Sequence, residues 1–182
     1  WATECWYTLN RLPAYDIPQQ SSLVVPKPRV LVFSKTAGFR HDSIPTGIAT
    51  LRELAKAKGF SMDATEDAST FNAAKLKEFD VVVFLSTTGD VLNAEQQKAM
   101  EGFVEGGGGY VGIHAASDTE YDWPWYGDLV GGYFKRHPAI QQAKITLEDR
   151  AHPSTAFLPN NWERVAEWYD FRVNPRGKVR VL

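Results

Sequence analysis

Three runs of consecutive apolar residues punctuate the chain: Val30-Leu31-Val32-Phe33, Val81 to Leu85, and Tyr110-Val111-Gly112-Ile113. Each is short and bounded by turn or polar residues, the pattern of a strand buried on both faces. Between them the spacing turns helical. Ile44, Ile48, Leu51 and Leu54 form a stripe that Asp42 or Ser43 can cap; Pro45 suits the first turn and Gly59 stops it. Phe60 to Thr65 reads as a weaker, mixed strand. Asn72 is placed to cap a short helix, with Phe71 and Leu76 as a hydrophobic staple. Asn93 opens a longer helix with Gln96 in capping-box position. Its Met100, Phe103 and Val104 face inward, and the glycines from Gly106 end it. Strands alternating with helices at this spacing predict an α/β fold built of βαβ units on a mainly parallel sheet.

Parallel strands have one chemical consequence: every loop that follows a strand opens on the same edge, where such sheets bind ligands. The segment GGGGYVGIHAASD, residues 106–118, is the sharpest of these turns. Glycines, a buried strand, one polar residue and then small residues resemble the strand-to-helix elbow that presents a nucleophile in hydrolases. Here the presented residue is His114. Small residues after it let a following helix pack close, with Ser117 or Asp118 as its cap. By topology alone, the loops carrying Arg40 and His41, Glu66 and Asp67, Thr87 and Thr88, and His114 surround one crevice.

Beyond the elbow the pattern loosens. Tyr121 to Tyr126 is aromatic and irregular, Asp128 to Gly132 reads as a helical turn, and Phe134 to Pro138 as a loop. Gln142 to Glu148 alternates like a half-exposed strand. Trp162 to Val173 reads as a strand beside the crevice, and Lys178 to Leu182 as the start of another, cut short by a C-terminal truncation. Residues 1–28, with four aromatics and Pro13, Pro18, Pro26 and Pro28, read as an extension or linker; the compact domain, 29–182, begins at Arg29.

Composition narrows the function. A formal net charge of -2 and the lack of a basic patch point away from nucleic acid. The longest apolar run is far too short to span a membrane. Cys5 is the only cysteine, so no internal disulfide forms. Compartment and oligomeric state stay open.

Seven stretches resemble the trehalose-utilisation (ThuA-like) domain family in the family's order: KTAGFRHDSIPTGI (35–48), ATEDAS (64–69), DVVVFLSTTGDVL (80–92), FVEGGGGYVGIHAASD (103–118), VGGYFKRHP (130–138), HPST (152–155) and EWYDFRVNPRG (167–177). The resemblance implies a flavodoxin-like, class I glutamine amidotransferase-like three-layer sandwich. It also implies carbohydrate metabolism, in which such proteins accompany sugar 3-dehydrogenases in the use of disaccharides through 3-keto sugars. Two departures stand out: Ala166 takes the place of an aspartate before Glu167, and the chain ends before the family's Gly-His-Thr segment. Amidotransferases carry a cysteine at the elbow; with His114 there and the one thiol in the extension, glutamine hydrolysis through a thiolate is excluded.

The candidate chemistry centres on histidines in loops. His114 and His41, with Glu167, are the catalytic candidates, as acid/base groups or metal ligands. Lys35, Arg40, Asp67, Thr87, Thr88, Asp118, His137, Trp168 and Tyr169 are the substrate-binding candidates: cations to polarise an oxygen, carboxylates and hydroxyls to hold sugar hydroxyls, rings for sugar C–H faces. Each has a structural alternative as a cap, a turn bond or packing, and His152, in a His-Pro turn, reads as structural. A divalent metal remains open as cofactor: no HxH or HExxH spacing assigns one. Two functions follow. One is a hydrolase, lyase or isomerase acting on a keto-sugar or disaccharide; the alternative is a non-catalytic carbohydrate-binding or interaction module.

Overall fold

A computed structural model of the chain describes Cys5–Trp6 and residues 27–182. The reading of 1–28 as an extension or linker therefore lies almost wholly outside the described residues. The elements are β1 (Cys5–Trp6), β2 (Arg29–Phe33), α1 (Ile44–Lys58), β3 (Ser61–Thr65), α2 (Ala73–Leu76), β4 (Val81–Leu85), α3 (Ala94–Glu105), β5 (Gly109–Ile113), α4 (Pro124–Val130), β6 (Phe134–Arg136), β7 (Gln141–Ile145), β8 (Trp162–Ala166) and β9 (Asp170–Phe171). The main sheet runs β1-β5-β4-β2-β3. Its last four strands are parallel and β1 pairs antiparallel to β5. The parallel strands follow the flavodoxin-like order, whose switch point lies between β2 and β4.

Strand alternation sorts the core into two layers. Leu31, Phe33, Val82 and Phe84 face one side, where they meet Leu76 of α2, Met100 of α3 and Tyr126 of α4. Val30, Val32, Val83 and Leu85 face the other, against Ile48 and Leu51 of α1. The result is the expected α/β three-layer arrangement. β3 reads weakly in sequence because it is a half-exposed edge strand.

The caps divide. Asn93 and Gln96 form the full capping box, and the Asn72 side chain accepts from Lys75 N–H. Ser43 occupies the α1 cap position without a side-chain bond, while Gly59 ends α1 at φ 75°. Leu54 is 45% exposed, and Ala55 takes its expected place in the core. At about 100° per residue, Leu54 lies roughly 80° from Ile44 around the helix, whereas Ala55 comes within about 20°.

The region past the elbow departs from expectation in five places. No α-helix follows His114: residues 114–118 form a 3₁₀ turn, and the chain then turns back to the loop after β4. Gly89 N–H donates to the Asp118 carbonyl (2.9 Å) and Glu120 N–H to that of Gly89 (3.2 Å), so those groups are not available to extend a helix. Asp118 is thus no cap; α4 begins at Pro124, well before Asp128, with Trp123 at its N-cap. Phe134–Arg136 is a strand, not a loop, paired antiparallel with β9. The expected strand from Trp162 to Val173 is broken: β8 pairs with β7, β9 pairs with β6, and Glu167 to Tyr169 lie between. Lys178 to Leu182 forms no strand; the Leu182 carbonyl instead accepts from Glu148 and Asp149 N–H, at 2.6 and 3.0 Å.

Candidate functional site

His114 stands where β5 stops, at φ 53°. A non-glycine residue in the left-handed region carries strain of about 1–3 kcal/mol and persists only where its surroundings hold it. They do so here. Ser86 N–H takes the Ile113 carbonyl at 3.1 Å, and Ala115 and Ala116 are fully buried behind the turn. Gly112 permits the close return: a Cβ there would lie 3.2 Å from Ala116 Cβ and 3.0 Å from the Tyr110 hydroxyl.

His41 comes from the loop after β2. That loop is tied across the switch point by a ladder to the loop after β4. Ala37 N–H donates to the Thr88 carbonyl (2.7 Å), Gly38 N–H to Thr88 Oγ1 (3.2 Å), and Thr88 Oγ1 to the Phe39 carbonyl (2.8 Å). Glu167 and Tyr169 come from the break between β8 and β9, where the backbone leaves one ladder and joins another. Trp168, between them, is turned away and donates its Nε1–H to the Gln141 carbonyl (2.7 Å).

Four side chains from these three places converge. Glu167 Oε2 lies 3.2 Å from His114 Nε2 and 3.8 Å from His41 Nε2. The Tyr169 hydroxyl is 3.0 Å from the same His114 Nε2. The imidazoles meet edge to face at 4.5 Å, and the Tyr169 ring lies 4.6 Å from that of His114. Phe39, 69% exposed, sets its ring edge to face with His41 at 4.9 Å, and Phe134 packs on Tyr169 at 4.3 Å. Sequence reasoning missed Phe39 and Phe134, which carry no polar signal.

Burial sets the electrostatics. It pushes the His114 imidazole down to about 4, aided by neighbouring His41 and opposed by Glu167. His41 is likewise lowered by burial, against the pull of Glu167 and Asp118. Its Nδ1 is buried without a hydrogen bond, a distinction shared among the described residues by Ser34 Oγ alone. Both rings are therefore neutral near pH 7. The neutral His114 has a consequence for stability. Between about pH 6.5, where a free imidazole titrates, and about 4, the unfolded chain binds a proton that the folded chain refuses. Stability is expected to fall as pH drops through that window, by up to about 3 kcal/mol from this group. Urea unfolding at several pH values with a chelator present reads it, and His114→Gln should show a shallower loss. Equal slopes for the two proteins would contradict the neutral buried ring.

The remaining expected site residues stand elsewhere or serve the frame. Arg40 forms an exposed ion pair with Glu66 (2.6 Å), and Lys35 donates to the Val91 carbonyl (3.0 Å). Asp67 caps the 3₁₀ turn of Ala68–Thr70; the nearby open cavity of about 480 Å³ is lined by such capping groups, with Lys75 and Glu78. Thr87 and Thr88 are fully buried, Thr87 in a 2.8 Å bond with Thr119 Oγ1. Asp118 accepts from the Tyr121 hydroxyl, whose ring lies beneath the Arg172 guanidinium at 3.9 Å. His137 is exposed, its ring parallel to that of Tyr169 at 6.0 Å. Trp123 and Trp125 stack at 5.1 Å; Trp123 belongs to the core, and Trp125 packs against it. Asp170 pairs with Arg136 (3.0 Å), and His152 lies in its turn beside Ser154. Sequence reasoning also missed Glu120, a fully buried carboxylate at φ 55°.

Known proteins share this architecture. A family model described as trehalose utilisation (ThuA) matches residues 29–182. The crystal structure of a ThuA-like protein from Bacteroides uniformis superposes with a TM-score of 0.70 at 27% identity, over 84% of this chain and 65% of that one. A second, from Parabacteroides merdae, gives 0.66 at 18% identity, over 79% and 63% respectively, and bears on the fold alone. The chain thus spans less than two thirds of either relative. No curated protein matches it. Among the described residues, no helix is long and apolar enough to cross a membrane.

Proposed function

The chain belongs to the trehalose-utilisation (ThuA) family, and from that premise we propose that it processes a disaccharide or 3-keto sugar, with His114, His41 and Glu167 as the reactive groups. The observation that carries this reading is their convergence at the carboxyl edge of the sheet, around an elbow held at a strained φ. Such edges bind ligands in this fold class. The surroundings suit a sugar: Phe39, 69% exposed beside His41, can meet a sugar C–H face, and Glu167 can accept from hydroxyls. Taking a proton beside a ketone and holding a cation both need a neutral imidazole, which burial supplies at pH 7. With His114 at the elbow, the proposed chemistry runs through imidazole and carboxylate rather than a thiolate.

Incubating the chain, shown folded by circular dichroism, with a 3-keto-disaccharide and following products by NMR tests the proposal. Turnover supports it. Saturable sugar binding without turnover would instead favour a non-catalytic binding module, and absence of both would overturn the carbohydrate reading.

A further inference from the structure

We infer that His41, His114 and Glu167 together hold one divalent transition-metal ion of the zinc type, leaving a coordination position for water or a substrate oxygen. The inference shares its side chains with the sugar reading, but metal binding can be measured without any sugar.

Geometry carries it. Four donors around zinc at bonds of about 2.0–2.1 Å lie roughly 3.3–3.4 Å apart along the edges of the tetrahedron. Glu167 Oε2 is 3.2 Å from His114 Nε2 and 3.8 Å from His41 Nε2, and one donor atom from each of the three residues lies within 4.8 Å of the others. The three are therefore already gathered around a point, and side-chain shifts of about an ångström or less would close on it. Two imidazoles and a carboxylate make a nitrogen-rich donor set that suits zinc better than calcium or magnesium. Three protein ligands with a fourth position open is the arrangement of catalytic rather than structural zinc.

The charge pattern leads to the same place. Glu167 is three-quarters buried, yet among the described residues it meets no lysine or arginine; its partners are the two histidines. Arg40, the nearest cation in sequence to His41, is held by Glu66, and Lys35 by the Val91 carbonyl. A buried carboxylate is costly without an opposite charge. His114 Nε2 also faces two oxygens at once, Glu167 Oε2 at 3.2 Å and the Tyr169 hydroxyl at 3.0 Å. If Nε2 carries its lone pair, that pair confronts a carboxylate oxygen with no proton between them. A cation would turn this contact into two bonds, with the tyrosine hydroxyl yielding its place at Nε2. The rings are orientated for it by packing: His41 between Phe39 and His114, and His114 against Tyr169.

The test is calorimetric titration of zinc chloride into the full chain after chelator dialysis at pH 7. Cobalt(II) is added in parallel, because visible bands of tetrahedral intensity report the coordination directly. One ion per chain is expected, with affinity at least about tenfold weaker in His114→Gln, His41→Gln and Glu167→Gln and unchanged in His152→Ala. Circular dichroism on each variant separates lost ligands from lost fold, and the glutamines keep side-chain size close. No binding by the native chain, or binding that survives all three glutamine variants, would overturn the site. Metal binding without sugar turnover would leave the metal standing and remove the sugar-processing reading instead.

Discussion

Replacing His114 by alanine is expected to lower turnover of a 3-keto sugar by at least about a hundredfold, with the protein still folded. A positioned acid/base group contributes about 10²–10⁴ in rate, and a lost metal ligand removes no less. The variant is informative because alanine can occupy the left-handed backbone at a modest added strain, so the turn is kept while the ring is removed. The ring bonds only to other members of the site, so its loss leaves no core donor stranded. The effect should fall on kcat more than on KM, since the imidazole acts at the reacting centre while the aromatic surfaces remain. Turnover within about threefold of the native rate in a folded His114→Ala protein would remove the elbow from the chemistry.

The second large effect concerns the frame. Glu120→Ala is expected to cost about 3–5 kcal/mol of stability. The buried carboxylate accepts from Val91 N–H (2.8 Å), Leu92 N–H (2.7 Å) and Gln97 Nε2–H (2.7 Å). Alanine would strand all three donors and leave a hole. These bonds fasten the start of α3 and the loop after β4 to the segment beyond the elbow, and so fix the wall behind His114. Glu120→Gln keeps the shape and an acceptor oxygen, but sets an amide nitrogen against that of Gln97; it should cost less. Denaturant midpoints with unchanged slopes measure both. A loss under 1 kcal/mol in the alanine variant would show that water or side-chain movement satisfies the donors.

How much of this was legible in the sequence follows from the range of each interaction. The Val81–Leu85 strand and the Asn93–Gln96 capping box are local and can be read directly. His114 is legible as a position because the glycines, the strand and the small residues around it are contiguous. Its partners are less so. Glu167 and Tyr169 could be nominated as a carboxylate beside a ring, but the break that turns them inward depends on β8 and β9 joining different ladders, each through a distant partner. Arg40 shows the converse. Beside His41 it reads as part of the site, yet the neighbouring loop after β3 supplies Glu66 and draws it off. Thr87 and Thr88 lie on the right edge of the sheet, but the ladder to Thr36 and the bond to Thr119 bury them. β6 is too short for any periodicity to reveal.

The two antiparallel pairs, β6–β9 and β7–β8, lie outside the main sheet. His41 and His114 are anchored to strands of the central core, whereas Glu167 and Tyr169 hang between ladders of only two strands. Two-stranded ladders are marginal by themselves and belong to the part of a protein that opens at low free energy. The carboxylate and the phenol can therefore detach from the imidazoles through a local fluctuation that leaves the parallel sheet intact. Heat or denaturant should then dismantle the constellation in a step of its own, and inactivation would be no measure of the stability of the fold.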